Sequence, residues 1–150
     1  MNAGLSRVVF VEDDESIRDT FHAGMTHFLR KEGLPHEIEI VSSVDELRAI
    51  VEARVQEVAA IATDLCGVGW GDSTATMDTL VQEILAFKEE YRLNVPILII
   101  TGSNPGDEHV NLGRGVLAEF QVQIFQKPFR MSELAQKINK MLKEAALVPA

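Results

Sequence analysis

Residues 58–64 read VAAIATD, a run that stays apolar from Val58 until Thr63 and closes on the aspartate Asp64. A strand with one wet face alternates polar and apolar residues. A uniformly apolar run is the mark of a strand covered on both faces, as in a parallel sheet flanked by helices. The neighbouring segments repeat the same alternation of strand and helix. Before it, Glu37-IEIV-Ser42 alternates like a half-buried edge strand, and Ser43-Val-Asp-Glu46 is a capping box that opens a helix with Leu47, Val51 and Val55 inward. Earlier still, Arg7-VVFV-Glu12 is a β-branched run. It is followed by Ile17, Phe21, Met25, Phe28 and Leu29 at helical spacing until Gly33 and Pro35.

Downstream, Met77, Leu80, Val81, Ile84 and Leu85 form a third helical stripe, and Pro96-ILII-Thr101 a fourth strand. Asn104-Pro105 reads as the start of a fourth helix, Val122-QIFQ-Lys127 as a fifth strand, and Leu134, Ile138, Met141 and Leu142 as the inner face of a final helix. Five β–α units in alternation need right-handed crossovers, which predicts a doubly wound α/β fold with a five-stranded parallel sheet. With 150 residues, 46% of them apolar, a single domain is expected, its core spanning about 6–145.

Charge and composition narrow the function. Lys and Arg number 14 against 23 Asp and Glu, a net charge of −9, which disfavours contact with a nucleic-acid backbone. The longest nearly unbroken apolar run, Val95 to Ile100, is far below the about 20 residues of a membrane helix, and residues 1–7 lack a signal core. Cys66 is the only cysteine, so no internal disulfide forms. The expectation is a cytoplasmic protein without membrane insertion.

In doubly wound sheets ligands bind beyond the carboxyl ends of the strands. Those ends carry Glu12-Asp13-Asp14, Asp64, Thr101 and Lys127. Converging carboxylates about 4 Å apart repel by about 4 kcal/mol per pair at an effective dielectric near 20, so such a site calls for cations. One divalent ion and the Lys127 ammonium would balance Glu12, Asp13 and Asp64. Oxygen donors at a wet strand end suit Mg²⁺, which prefers few carboxylates, several waters and a phosphate oxygen. Asp14 and Glu15 are expected to stabilise the first helix N-terminus.

The stretches VVFVEDDESIR (8–18), IATDL (61–65), PILIITGS (96–103) and QKPF (126–129) resemble, in order, the strand-end motifs of CheY-like receiver domains of bacterial response regulators. The resemblance implies the flavodoxin-like strand order 2-1-3-4-5. It also implies that Asp64 accepts a phosphoryl group from a histidine kinase or a histidine phosphotransfer protein. Glu12, Asp13, Asp64 and the backbone carbonyl of Cys66 would hold Mg²⁺, and Thr101 and Lys127 would engage phosphoryl oxygens. Lys127-Pro128 would be a cis peptide. Such a domain relays its signal to a downstream protein target and is not a metabolic enzyme, although slow autodephosphorylation is expected.

The chain departs from the family pattern at three places. Glu12 replaces the commoner aspartate. Ile124 stands where many members carry the Tyr or Phe that rotates with the threonine, and Phe125 points to the opposite side of its strand. Val68 replaces a proline, and Gly67-VGWGDSTAT-Met77 reads as an insertion. Trp70 in that Gly-rich stretch is expected to be part-exposed at the mouth of the acid site. Cys66 and Ser103 occupy the positions that flank the hydrolytic water, where neither offers an amide or carboxylate, so a long-lived phosphoryl bond is expected.

Other readings are weaker. Gly67, Gly69 and Gly71 lack the spacing of a dinucleotide-binding loop. His22, His27, His36 and His109 have no partners at metal-ligand spacing. An aspartate-nucleophile phosphatase of the haloacid-dehalogenase type would need its nucleophile where Glu12 stands. A pseudo-receiver that binds partners without phosphorylation is the structural alternative.

Overall fold

The computed structural model describes residues 6–34, 36–64, 68–71, 77–101, 121–126 and 130–146. Among them run β1 (Arg7–Val11), α1 (Glu15–Lys31), β2 (Glu37–Val41), α2 (Val44–Arg54), β3 (Val58–Asp64), α3 (Met77–Glu90), β4 (Ile97–Thr101), β5 (Val122–Gln126) and α4 (Met131–Ala146). All strand pairs are parallel, in the order β2-β1-β3-β4-β5. The expected fold class and strand order hold. The uniformly apolar β3 lies at the centre, and the alternating β2 lies at an edge. The helix expected from Asn104-Pro105 falls outside the described residues.

Strand alternation sorts the core into two layers. Val9, Val11, Ile61, Ile97, Ile99 and Val122 face α2 and α3, meeting Leu47, Val51, Leu80, Ile84 and Phe87. Val8, Phe10, Ala60, Ala62, Leu98 and Ile100 face α1 and α4, meeting Met25, Leu29, Leu134 and Ile138. Burying one Leu, Ile or Phe side chain contributes about 1.5–3 kcal/mol, so these layers dominate stability.

Local sequence sets the helix ends. Asp14 caps α1, its carboxylate accepting from the Ser16 and Ile17 N–H groups. The chain leaves α1 through Gly33 at φ +82°, a left-handed conformation that glycine adopts without strain. Ser43 caps α2 by accepting from the Glu46 N–H at 3.3 Å. The Glu46 carboxylate reaches back to the N–H and hydroxyl of Ser42 rather than to Ser43.

One inward position is corrected. Val55 is 39% exposed, because α2 ends at Arg54 and a 3-10 turn over Val55–Glu57 shifts the helical phase. Ile17, expected on the inner stripe of α1, is 37% exposed at its first turn.

Candidate functional site

Register, rather than sequence proximity, assembles the strand ends. Val11 pairs with Thr63 and Asp64 with Ile100, so Glu12 and Asp64 leave adjacent strands at one level, with Thr101 one residue past Ile100. Thr101 pairs in turn with Gln126, the last residue of β5. Lys127 and Cys66 themselves lie outside the described residues, as do Pro128 and Ser103.

The five predicted residues that are described, Glu12, Asp13, Asp14, Asp64 and Thr101, occupy distinct settings. Glu12 is half-buried, and its carboxylate accepts from the Asp14 N–H at 3.0 Å. Its own N–H donates to the Val41 carbonyl, fixing the turn out of β1 to the end of β2. Asp13 follows, exposed. Asp14 serves the helix cap, as expected. The Ser16 hydroxyl first, and then the Ile17 N–H, hold its carboxyl below the usual range. Thr101 is buried. Asp64 is half-buried and joins Glu12 in the wall of a cleft of about 340 Å³, whose other walls are apolar and include Phe10, Ile17, Phe21, Ile100 and Met131.

The donors brought together are oxygens, which fit a hard cation. Among the described residues no three His, Cys, Asp or Glu side chains converge as a metal cage. A zinc site needs about four such ligands, whereas Mg²⁺ is held through one or two carboxylates and keeps its waters. Glu12 and Asp64, which line one cleft, are two oxygen donors of the kind the second type of site uses.

Trp70 corrects the sequence expectation. The indole is buried, 4% exposed, with its ring edge-on to Phe87 at 5.3 Å between centroids. Its Nε1–H donates to the Thr63 hydroxyl at 2.9 Å, and that hydroxyl donates to the Asp64 carbonyl at 2.7 Å. The Val44 N–H donates to the Val68 carbonyl at 2.8 Å, and Gly69, at φ +112°, lies against Val44. Val68, Gly69 and Trp70 are therefore docked on α2 and α3, and the indole does not stand exposed at the acid site. Thr63 is a contributor that sequence reasoning passed over. Its signal was a hydroxyl inside an otherwise apolar strand. Ile124 packs against this same layer and Phe125 against the opposite one, as strand alternation predicts.

No protein-family model matches the sequence. A search of curated proteins likewise gives no match. Solved structures do match. A response regulator receiver domain protein from Clostridium thermocellum is 18% identical with a TM-score of 0.60, the alignment covering 95% of this chain and 98% of that one. The Mn²⁺-bound form of response regulator Rcp1 is 17% identical with a TM-score of 0.59, covering 97% and 99%. The receiver domain of the histidine kinase CKI1 from Arabidopsis thaliana, complexed with Mg²⁺ and BeF₃⁻, is 20% identical with a TM-score of 0.55, covering 92% and 90%. Near-complete coverage in both directions, with the strand order 2-1-3-4-5, shows that the fold of this chain is that of response regulator receiver domains.

Proposed function

We propose that this chain is a receiver module whose Asp64 takes a phosphoryl group from a phosphohistidine of a histidine kinase or histidine phosphotransfer protein. The observation that carries the reading is the register that sets Asp64, at the end of the central strand, beside Glu12 and one step from Thr101. An Asp64 carboxylate oxygen forms the new O–P bond as the N–P bond of the donor breaks. The imidazole leaves with the electron pair of that bond. Little covalent chemistry is asked of the protein, so positioning and charge neutralisation are the main contributions.

Glu12, Asp13 and Asp64, with the Cys66 carbonyl, are the residues that would hold Mg²⁺. Bound there, the ion would offset the charge of the phosphoryl oxygens. Thr101 would donate to one phosphoryl oxygen and Lys127 would pair with another. Neighbours of the same fold bind Mn²⁺ or Mg²⁺ by their own descriptions, which supports the cation assignment. No helix among the described residues is long and apolar enough to cross a membrane, and the reading places the module in the cytoplasm with a protein as its downstream target. The phosphatase alternative is disfavoured because position 12, where its aspartate nucleophile would stand, is a glutamate.

Incubation with acetyl phosphate and Mg²⁺, followed by intact mass, tests the reading. One phosphoryl group should be added, Mg²⁺-dependently, and Asp64→Asn should abolish it. Full labelling of Asp64→Asn at another residue sinks the assignment.

A further inference from the structure

The hydrogen bonds that meet at Thr63 have a fixed direction. An indole N–H is only a donor, so Thr63 Oγ1 must accept from Trp70 and spend its single proton on the Asp64 carbonyl. Both Thr63 and Trp70 are buried, and a donor at this depth is costly to leave unpaired. The Trp70 ring is in turn stacked edge-on against Phe87, and Phe87 lies 5.0 Å from Tyr91 between centroids. Arg48 lies over both rings, joining α2 to α3. Tyr91 completes the link by donating to Glu52 at 2.7 Å. A continuous set of contacts thus runs from the backbone of Asp64 to the surface shared by α2 and α3.

We propose that Trp70 is a positioning residue for Asp64: through Thr63 it holds the carbonyl of the residue whose carboxylate is to be phosphorylated, and it ties the α2–α3 face to the state of that site. The inference rests on the phosphoacceptor reading above. It accounts for two departures in the sequence together. Position 124 on β5 is Ile and has no ring to rotate, while the unusual stretch after β3 supplies a ring that bonds one residue from the acceptor. Chemistry at Asp64 that pulls the strand end by even a fraction of an ångström changes the Thr63 hydrogen bonds, because such bonds weaken steeply with distance and angle.

The chain has one tryptophan, so a ¹H–¹⁵N spectrum of the full chain contains a single indole N–H resonance. Mg²⁺ and beryllofluoride are added as the phosphoryl mimic, and bound fluoride is followed separately by ¹⁹F resonance. The expected result is a shift of the indole resonance that saturates with bound fluoride. The shift should vanish in Thr63→Val and return in Thr63→Ser, which keeps the hydroxyl. If Thr63→Val does not fold, Trp70→Phe decides, since it keeps a ring and removes the N–H. Its phosphorylation by acetyl phosphate should slow by about ten-fold, within the range that small misplacements of reacting groups produce. Bound fluoride with an unmoved indole resonance overturns the inference and leaves the phosphoacceptor reading standing. A folded Thr63→Val that still responds, or a folded Trp70→Phe phosphorylated at the normal rate, overturns it equally. No bound fluoride at all overturns the phosphoacceptor reading, and this inference falls with it.

Discussion

The guanidinium carbon of Arg48 lies 5.2 Å from the centroid of the Phe87 ring, while its Nη1 meets Glu90 Oε1 at 3.0 Å. The ring face and the carboxylate hold one side chain between α2 and α3. Arg48→Met keeps most of the aliphatic stem but removes the charge. It should cost about 1 kcal/mol in urea unfolding, the sum expected of a partly exposed cation–π contact and a surface ion pair. A double-mutant cycle with Phe87→Leu should return a coupling of about 0.5–1 kcal/mol. Strict additivity would mean that the ring and the guanidinium merely sit near each other.

Lys88 is buried near the end of α3 and donates from Nζ to the Val95 carbonyl. Burial pushes its ammonium down to about 8 from the ordinary 10.5. Between these values the unfolded chain binds more protons than the folded one, so this lysine makes stability rise with pH through that window. The slope is at most about 1.4 kcal/mol per pH unit. Lys88→Met should remove the rise, read from urea midpoints at a series of alkaline pH values. An identical pH dependence in the variant would show that other groups cause it.

Asp14 gives a slope of the same sign in an acid window, with the difference that its charged form is favoured by folding instead of penalised by it. Its carboxyl is held below the ordinary range, chiefly by the Ser16 hydroxyl, so its support of α1 is complete above the unfolded pKa and is lost as pH falls through the folded one. Asp14→Ala should lower the thermal midpoint at neutral pH and match the unmutated chain once carboxylates are protonated. A constant difference at all pH values would assign the effect to helix geometry instead of charge.

Two glycines should respond differently to the same change. At Gly33 a Cβ would meet nothing within 4 Å, but φ of +82° strains any other residue, so Gly33→Ala should destabilise by about 1 kcal/mol. Gly24 lies within α1, where alanine is favoured by about 1 kcal/mol. There a Cβ would stand 3.1 Å from Cγ of Met131, a flexible side chain able to yield. Gly24→Ala should therefore fall within about 1 kcal/mol of neutral. Equal losses at both sites, measured by chemical unfolding, would show that the α1–α4 contact does not relax.

The strands were legible in the sequence because their hydrophobic runs are decided by which faces are covered, and the central β3 has both. Register then carried Glu12 and Asp64 to one level without any local signal beyond strand length. Trp70 was not legible in this way. A Gly-rich stretch has no periodicity to read, and the burial of its indole is set by Thr63 and Phe87, 7 and 17 residues away in the chain. Phe87 itself lies three residues past Ile84, a spacing that continues the α3 stripe and could have revealed it. Val55 failed for another reason. Helical phase was extended beyond Arg54, where the backbone tightens into a 3-10 turn.

Thr63 and Asp64 are consecutive, so their side chains leave β3 toward opposite layers, the hydroxyl toward α2 and α3 and the carboxylate toward the cleft beneath α1. The sheet itself thus separates the cleft from the layer that holds Trp70, Phe87 and Tyr91. Substitutions in the α1–α4 layer can retune access to the carboxylate without repacking the indole, and substitutions around Phe87 and Tyr91 can reshape the opposite surface without entering the cleft. If Asp64 is the phosphoacceptor proposed above, a lineage carrying this chain could vary the cleft and the α2–α3 surface largely apart, with Trp70, Thr63 and the Asp64 carbonyl as the described link between them.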